Sequence, residues 1–198
     1  QDKGDLDKAL EYHSQALEIS RRIGGVQGEA SQLGNMGLVY QDKGDMDKAL
    51  EYHSQALEIQ RRIGDVHGEA NILGNIGIVH KYKGDLDKAL EYLLKALEIF
   101  RRIGDVHGEA NALRNIGLAY RAKGDLRTAL DHVRKALKIC ISTGMAIHAD
   151  RSYRNLQEIM EQMDATGVKL SEEDRREIAG LIEEYKKLKG AAVSVTGV

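Results

Sequence analysis

Apolar residues recur along this chain at steps of three and four positions. The clearest stretch follows Asp85, and its apolar positions are Leu86, Ala89, Leu90, Leu93, Ala96, Leu97, Phe100 and Ile103. This spacing places one apolar stripe along an α-helix. Asp85 is the predicted N-cap of that helix, and Gly104 is its predicted C-terminal stop. The stretch is therefore predicted to be an amphipathic helix with one buried face.

The same periodicity predicts nine helices in the whole chain. The sequence contains no proline, so glycine is the residue that marks the turns between them. A last helix starts at Ser171 with a pattern that resembles a capping box, and it carries Glu and Lys on one side. The predicted helices are 5–23, 28–43, 45–63, 68–83, 85–103, 108–123, 125–143, 147–164 and 171–189.

One segment is written into the chain repeatedly. KGDLDKALEYHSQALEI begins at Lys3, and close copies begin at Lys43 and Lys83, with a looser copy at Lys123. Each copy begins 40 residues after the one before it. A repeat of this length predicts a solenoid, in which each unit buries its apolar face only against its neighbours. The sequence therefore predicts an all-α array of antiparallel helix pairs.

The helix pairs resemble the tetratricopeptide repeat (TPR), whose pattern combines a bulky residue, Leu-Gly-x2-Tyr and later small residues. Leu33, Gly37 and Tyr40 fit the first part of the pattern, and Ala49 and Ala56 fit the second. The next two units repeat the match, so that the resemblance covers about residues 1–163. It implies a right-handed superhelical α-solenoid. We expect the array to occupy residues 1–170, with a capping helix at 171–190 and a flexible tail at 191–198.

The repeat period is longer than the usual 34 residues of this family. The longer period resembles the Pins/LGN-type adaptors, which are named for a Leu-Gly-Asn signature, and more distantly the kinesin light chains. Leu33-Gly34-Asn35 and Leu73-Gly74-Asn75 match that signature, whereas Leu113-Arg114-Asn115 breaks it. These resemblances imply that the first helix of each pair lines a concave face, and that the face binds an extended peptide.

By that resemblance, a row of asparagines at one register faces the groove. An amide side chain both donates and accepts hydrogen bonds, so it can pair with a peptide backbone of any sequence. An aliphatic row and a basic rim predict a peptide with apolar residues and at least one carboxylate. The predicted peptide-binding residues are Asn35, Asn71, Asn75, Asn111, Asn115, Asn155, Arg114, Arg121, Arg154, Lys81, Leu38, Ile78 and Leu118. The alternative is that these asparagines bond between adjacent helices and that the arginines are simply solvated.

Other kinds of function find little support in the sequence. A net charge of −2 gives no reason to bind nucleic acid or an anionic membrane, and no apolar run reaches transmembrane length. His67 and His107 repeat at a distance too great for one zinc ion, so we expect no metal and no cofactor. No catalytic motif occurs, and we expect no enzyme. The single cysteine, Cys140, is predicted to fill the core, and it fits a reducing, cytoplasmic location.

Two further hypotheses remain open beside peptide binding: a self-associating structural scaffold and the sensor arm of a larger signalling protein. The chain opens within a repeat, so Leu6, Leu10 and Leu17 are expected to lack the helix that would cover them and to favour a homo-oligomer. His13 and His53 are expected to fill a partly exposed packing site, which Leu93 fills in a later copy. The segment 193–196 is a candidate to lie extended in a neighbour's groove.

Overall fold

A computed structural model describes the backbone of residues 3–196 and the side chains of residues 4–190. Within that range the chain forms nine α-helices and no β-strand, so the all-α prediction is confirmed. The helices are α1 Lys3–Arg22, α2 Val26–Asp42, α3 Met46–Ile63, α4 Val66–Tyr82, α5 Leu86–Ile103, α6 Val106–Lys123, α7 Leu126–Ser142, α8 Ala146–Ala165 and α9 Glu172–Thr196.

The ninth helix differs from its prediction, whereas the ends of the other eight lie within two residues of theirs. The predicted helix ended at residue 189, but α9 continues to Thr196. Alanine has the highest helix propensity, so Ala191 and Ala192 can carry the helix past the single Gly190. Residues 193–196 are therefore helical, and the predicted extended segment there is wrong. Residues 197 and 198 of the predicted tail lie outside the described residues.

Glycine and aspartate together make the turns between helices. Gly64 adopts a left-handed φ of 71° after α3, and its N–H donates to the carbonyl of Arg61. Asp65 follows directly and caps α4, because its side chain accepts from the N–H of Gly68 at 2.8 Å. One Gly-Asp pair thus ends one helix and starts the next, which explains why the repeat needs no proline.

The chain divides into two compact units, Gln1–Ile103 and Gly104–Val198, called unit 1 and unit 2 below. In unit 1, each of α1 to α5 packs on its neighbour in sequence, and α2 also lies beside α4. In unit 2, α6 packs on α7 and α7 on α8, while α9 packs on both α7 and α8. The first helices of the pairs are α2 and α4 in unit 1, and α6 and α8 in unit 2.

In each of α2, α4 and α6, a glycine receives a side chain from the helix that follows. A Cβ added at Gly37 would lie 2.6 Å from the ring of His53, and one at Gly77 would lie 2.7 Å from Cγ of Leu93. Gly117 holds the same position in unit 2. These glycines are therefore close-packing positions between the two helices of a pair. His53 is 0% exposed, so the expected partial exposure is wrong: the space left by Gly37 lets the ring enter the core completely.

The face of α1 is covered differently from the prediction. Leu6 and Leu17 are each 8% exposed, because they pack toward α2, so they do not form an uncovered face. Exposed apolar residues lie elsewhere: Tyr12 on α1 is 69% exposed, and Ile23, directly after the helix, is 71% exposed. Only Leu10 of the three predicted leucines remains half-buried. The sequence argument for a homo-oligomer through these leucines therefore does not hold.

The helix α9 covers one side of the core of unit 2. Its buried residues Ile178, Leu181 and Tyr185 belong to the same cluster as the core residues of α7 and α8. The ring of Tyr185 stacks on Tyr153 with centroids 4.3 Å apart, and its hydroxyl donates to Oδ1 of Asp150 at 2.5 Å. Cys140 belongs to this cluster and is 1% exposed, which confirms its predicted place in the core.

Candidate functional site

A groove of about 310 Å³ runs between α2 and α4, the two neighbouring first helices of unit 1. Helix α2 contributes residues at steps of three and four along one face, and α4 contributes the facing set. The end of α3 and the turn that follows it close one side. The lining residues are Gln27, Ala30, Ser31, Gly34, Asn35, Leu38, Gln60, Asp65, His67, Gly68, Asn71, Ile72 and Asn75.

Four of the predicted peptide-binding residues meet in this groove. Asn35 and Asn71 are exposed, Asn75 is half-buried, and Leu38 is 40% exposed. The amide of Asn71 also lies 3.2 Å from Nδ1 of His67, one turn earlier on α4. The groove therefore presents amide groups and the aliphatic side chain of Leu38 on the same surface.

A short polar network joins the two helices at one end of the groove. Nε2 of Gln27 on α2 donates to Oδ2 of Asp65 at 2.8 Å, while the N–H of Gly68 donates to Oδ1. The hydrogen bond from Gly68, followed by the one from Gln27, lowers the pKa of Asp65 below its usual value. The carboxylate is therefore charged at neutral pH, and it is the anionic side chain among the lining residues.

Gln60 lines the groove from the side of α3. It lies near the end of α3, is 5% exposed, and places its amide against the backbone of Gly68. A Cβ added at Gly68 would lie 2.5 Å from Nε2 of Gln60, so only glycine leaves room for this amide. Within the described part of the chain, Oε1 of Gln60 is buried and has no hydrogen-bond partner. A buried amide oxygen without a partner is costly, and it favours any donor that reaches it.

The predicted residues of unit 2 have different surroundings. The guanidinium of Arg121 donates from Nη1 to Oε2 of Glu158 and from Nε to Oε1 of Gln162 at 3.0 Å. Its charge is therefore already balanced by α8. Asn115 is only 9% exposed, so most of its surface is inaccessible. Four others are accessible to different degrees: Arg154 is exposed, and the half-buried ones are Asn111, Arg114 and Asn155.

Three further predicted residues do not line the groove of unit 1. Ile78 and Lys81 lie on α4, beyond the last lining residue of that helix. The ammonium of Lys81 stands 5.1 Å from the ring centroid of Tyr82, which is a cation–π contact. Leu118 is half-buried on α6 in unit 2.

The sequence profile of the tetratricopeptide repeat matches this chain three times, at residues 1–62, 29–102 and 68–142. The chain belongs to the tetratricopeptide repeat family. The helix pairs, the glycine sites and the turns described above are those of TPR units, and the fold is an α-solenoid of this family. No curated protein sequence matches the chain.

Several solved TPR structures share the fold. A putative kinesin light chain of Podosopora anserina is 17% identical, with a TM-score of 0.65 over 96% of this chain and 89% of that one. A STAND protein of Pyrococcus horikoshii, described as having a tetratricopeptide repeat sensor, is 23% identical, with a TM-score of 0.72 over 97% of this chain and 29% of that one. Aspartyl phosphate phosphatase F of Bacillus subtilis is 13% identical, with a TM-score of 0.77 over 93% and 48%. At these identities the likeness concerns the fold alone.

Sequence reasoning missed several residues of the TPR groove, among them Gln27, Gln60, Asp65 and His67. A signal for Gln60 was present. The copies of the repeat are nearly identical around this position, yet it is occupied in turn by Ser20, Gln60, Phe100 and Cys140. Variation at one position within constant surroundings indicates a local role. The bridge from Gln27 to Asp65 gives no such signal, because the two residues are 38 apart in sequence.

The described residues contain neither a metal-binding cluster nor a membrane-spanning helix. Among the described residues, no three His, Cys, Asp or Glu side chains lie close enough together to hold a metal ion. None of the helices described is both long enough and apolar enough to cross a membrane.

Proposed function

We propose that this TPR chain binds an extended peptide segment of a partner protein in the groove between α2 and α4. TPR arrays generally serve as protein–protein interaction modules. The observation that carries the proposal is the convergence of Asn35, Asn71 and Asn75 with Leu38 on one accessible surface. These amides offer donors and acceptors to a peptide backbone, while Leu38 offers an apolar contact.

The size and chemistry of the groove fit an extended chain. Consecutive residues of an extended segment advance about 3.3 Å and point their side chains to alternate sides. One side can therefore meet Leu38 and Ile72 while the backbone meets the amides. A carboxylate of a partner is a separate proposal that concerns unit 2 alone, where Arg154 is exposed. Arg121 is a weaker candidate than Arg154, since it is bonded to Glu158 and Gln162.

The test uses a displayed library of random dodecapeptides, from which binders of the wild-type chain are selected. The binders are then measured by fluorescence polarisation against the double variant Asn35→Ala/Asn75→Ala. Losing two hydrogen bonds of ordinary strength should weaken binding about tenfold or more. Circular dichroism checks that the variant keeps its helix content.

The matched control changes two amides outside the groove. Gln15→Ala/Gln55→Ala removes side chains on α1 and α3 that bond only to glutamates of their own helices, at 3.3 and 3.4 Å. This control should bind the selected peptides as tightly as the wild type. If the Asn35→Ala/Asn75→Ala variant binds undiminished, or if the control loses affinity equally, the groove is not the binding site.

The likeness to the STAND protein supports a second candidate, the sensor arm of a larger signalling protein. This chain aligns over 97% of its length with 29% of a protein whose TPR part is described as a sensor. A sensor must pass on the binding event, so peptide binding should change amide hydrogen exchange outside the groove, for example in α9. Exchange that changes only along α2 and α4 would support a passive docking module instead.

A further inference from the structure

The groove in unit 1 is lined by a negative charge, whereas the arginines of unit 2 suggest a positive one. No lysine or arginine is among its lining residues, and the carboxylate of Asp65 lies at its end. That carboxylate accepts one bond from Gly68 and one from Gln27. An ionised carboxylate has about four acceptor positions, so these two bonds and the weaker one from the N–H of His67 leave capacity for a further donor.

Gln60 adds a second acceptor beside it. Its amide oxygen has no partner within the described residues, although the side chain is 5% exposed. The equivalent position holds Ser20 against Gly28 in the preceding copy and a buried Phe100 in the following one. An apolar side chain therefore fits this position in the repeat, and the amide is a feature of this one groove rather than a requirement of the fold.

Two acceptors with no lysine or arginine among the lining residues favour a ligand that brings donors. A ligand carboxylate would meet the charge of Asp65 and would find no lysine or arginine among the lining residues to balance it. A lysine or arginine side chain presents donors only, and it forms charge-assisted hydrogen bonds with a carboxylate. We propose that the segment bound between α2 and α4 carries a lysine or arginine whose side chain donates hydrogen bonds to the carboxylate of Asp65 and to the amide oxygen of Gln60. The inference rests on the peptide-binding function proposed above, and it names the class of peptide.

The test takes the dodecapeptides selected on the wild-type chain and asks two questions of them. The first is composition: lysine and arginine should be enriched and aspartate and glutamate depleted among the peptides that lose affinity for Asn35→Ala/Asn75→Ala. The second is charge pairing: Asp65→Asn should weaken a lysine-containing peptide about tenfold or more, as expected for a charge-assisted bond. Raising the salt concentration from 50 to 500 mM should reduce the difference.

The variants are chosen so that the fold is kept. Asparagine caps helices as well as aspartate does, so Asp65→Asn keeps the bond from the N–H of Gly68 to Oδ1. It removes the charge together with the Oδ2 acceptor of Gln27, whose amide must turn to present its oxygen to the new NH2 group. Asp45→Asn is the matched control, because Asp45 caps α3 by accepting from the N–H of Lys48 and does not line the groove. It should bind the peptide normally. Gln60→Phe copies the next repeat and should weaken binding about fivefold, the effect of one neutral hydrogen bond.

The last experiment changes the peptide. Replacing its lysine by glutamine should weaken its binding to the wild-type chain. The Asp65→Asn variant should then bind this glutamine peptide almost as well as the wild type does, because both changes remove the same charge pair. Peptides that need Asn35 and Asn75 but are rich in acid, or are indifferent to Asp65→Asn, would overturn this inference and leave the proposed function standing. Peptides indifferent to both the asparagines and Asp65 would overturn both.

Discussion

Units 1 and 2 share one repeat pattern but use their polar side chains in opposite ways. In unit 1, the first helices leave Asn35 and Asn75 on the surface of an open groove. In unit 2, the first helices are joined across the same kind of surface, because Arg121 on α6 bonds to Glu158 and Gln162 on α8. The same backbone arrangement therefore gives an accessible polar surface in one unit and an internally bonded one in the other.

A single register explains much of this difference. Leu38, Ile78 and Leu118 stand 40 residues apart, and Glu158 is the fourth member of the series. The first three copies thus place an aliphatic side chain where the last copy places a carboxylate. That carboxylate neutralises Arg121 within the protein. In a repeat protein, one substitution at a surface register can therefore remove a residue from ligand binding without any change in the helices.

The two units also differ in one core position. The glycine of the first helix receives His53 and Leu93 in unit 1, but Val133 in unit 2. His53 is fully buried, and neither ring nitrogen has a partner among the described residues. Burial lowers the pKa of His53 to about 4. Unit 1 therefore contains a neutral imidazole that unit 2 replaces by an aliphatic side chain.

The largest expected effect is a loss of stability in acid that comes from unit 1. The unfolded chain binds a proton at His53 below pH about 6.5, while the folded chain does so only below about 4. The contribution of His53 to the free energy of unfolding is fully present above the unfolded pKa. It falls as the pH drops from about 6.5 to about 4, and it changes no further below that. The loss amounts to roughly 3 kcal/mol. Hydrogen exchange of the α3 amides, corrected for intrinsic rates, measures it between pH 7.5 and 4.

His53→Leu is the matched variant, because Leu93 already fills the same position in the next copy. The variant should lose roughly 3 kcal/mol less than the wild type over that pH range. His148 in unit 2 also has a lowered pKa, chiefly through burial, but it is present in both proteins and cancels in the difference. Identical pH profiles for the two proteins would show that His53 is not the buried titrating group.

A smaller effect tests whether the two units share their close-packing sites. A Cβ at Gly77 would lie 2.7 Å from Leu93 and 3.1 Å from a backbone carbonyl, and one at Gly117 would lie 2.6 Å from Val133 and 3.0 Å from a carbonyl. The backbone cannot move aside cheaply, so each Gly→Ala change should destabilise its unit by about 1–3 kcal/mol. Chemical denaturation followed by circular dichroism gives the values.

Gly74 provides the opposite control in the same helix. A Cβ there would meet no atom within 4 Å, and alanine is the better helix former. Gly74→Ala should therefore stabilise the protein by roughly 0.5–1 kcal/mol. A destabilising Gly74→Ala, or a neutral Gly77→Ala, would contradict the assignment of which glycines are needed for packing and which are not.

Much of the fold could be predicted because the repeat is a local signal written several times. The steps between apolar residues, the Gly-Asp turns and the period of 40 residues each indicate helix pairs, and they agree with one another. The prediction ends α9 at residue 189, but the helix passes Gly190 and continues through Ala191 and Ala192, which are strong helix formers. The burial of Leu6 and Leu17 was not predicted, because the sequence does not say which apolar residues of α1 pack toward α2.

The candidate site could be predicted only in part. The repeated asparagines were found because register alone places them on one face. Asp65 and Gln60 were missed because they enter the groove from the turn after α3 and from the end of α3 itself, outside the first helices whose registers predicted the asparagine row. The engagement of Arg121 was also missed, since periodicity identifies equivalent positions but does not show that Glu158 reaches across to it.

The last expected effect concerns α9, which packs on α7 and α8 in unit 2. Tyr185→Phe keeps the ring stack with Tyr153 and removes the hydroxyl that bonds to Asp150 at 2.5 Å. Because Asp150 remains partly open to water, the loss should be about 1 kcal/mol. Tyr153→Phe is the control, since it keeps the same stack and leaves that bond intact. Faster exchange of the α9 amides, with unchanged exchange in α2 to α4, would show that the two units respond separately. Equal changes in both would mean that they unfold together, and the contrast drawn between them would then concern their surfaces only.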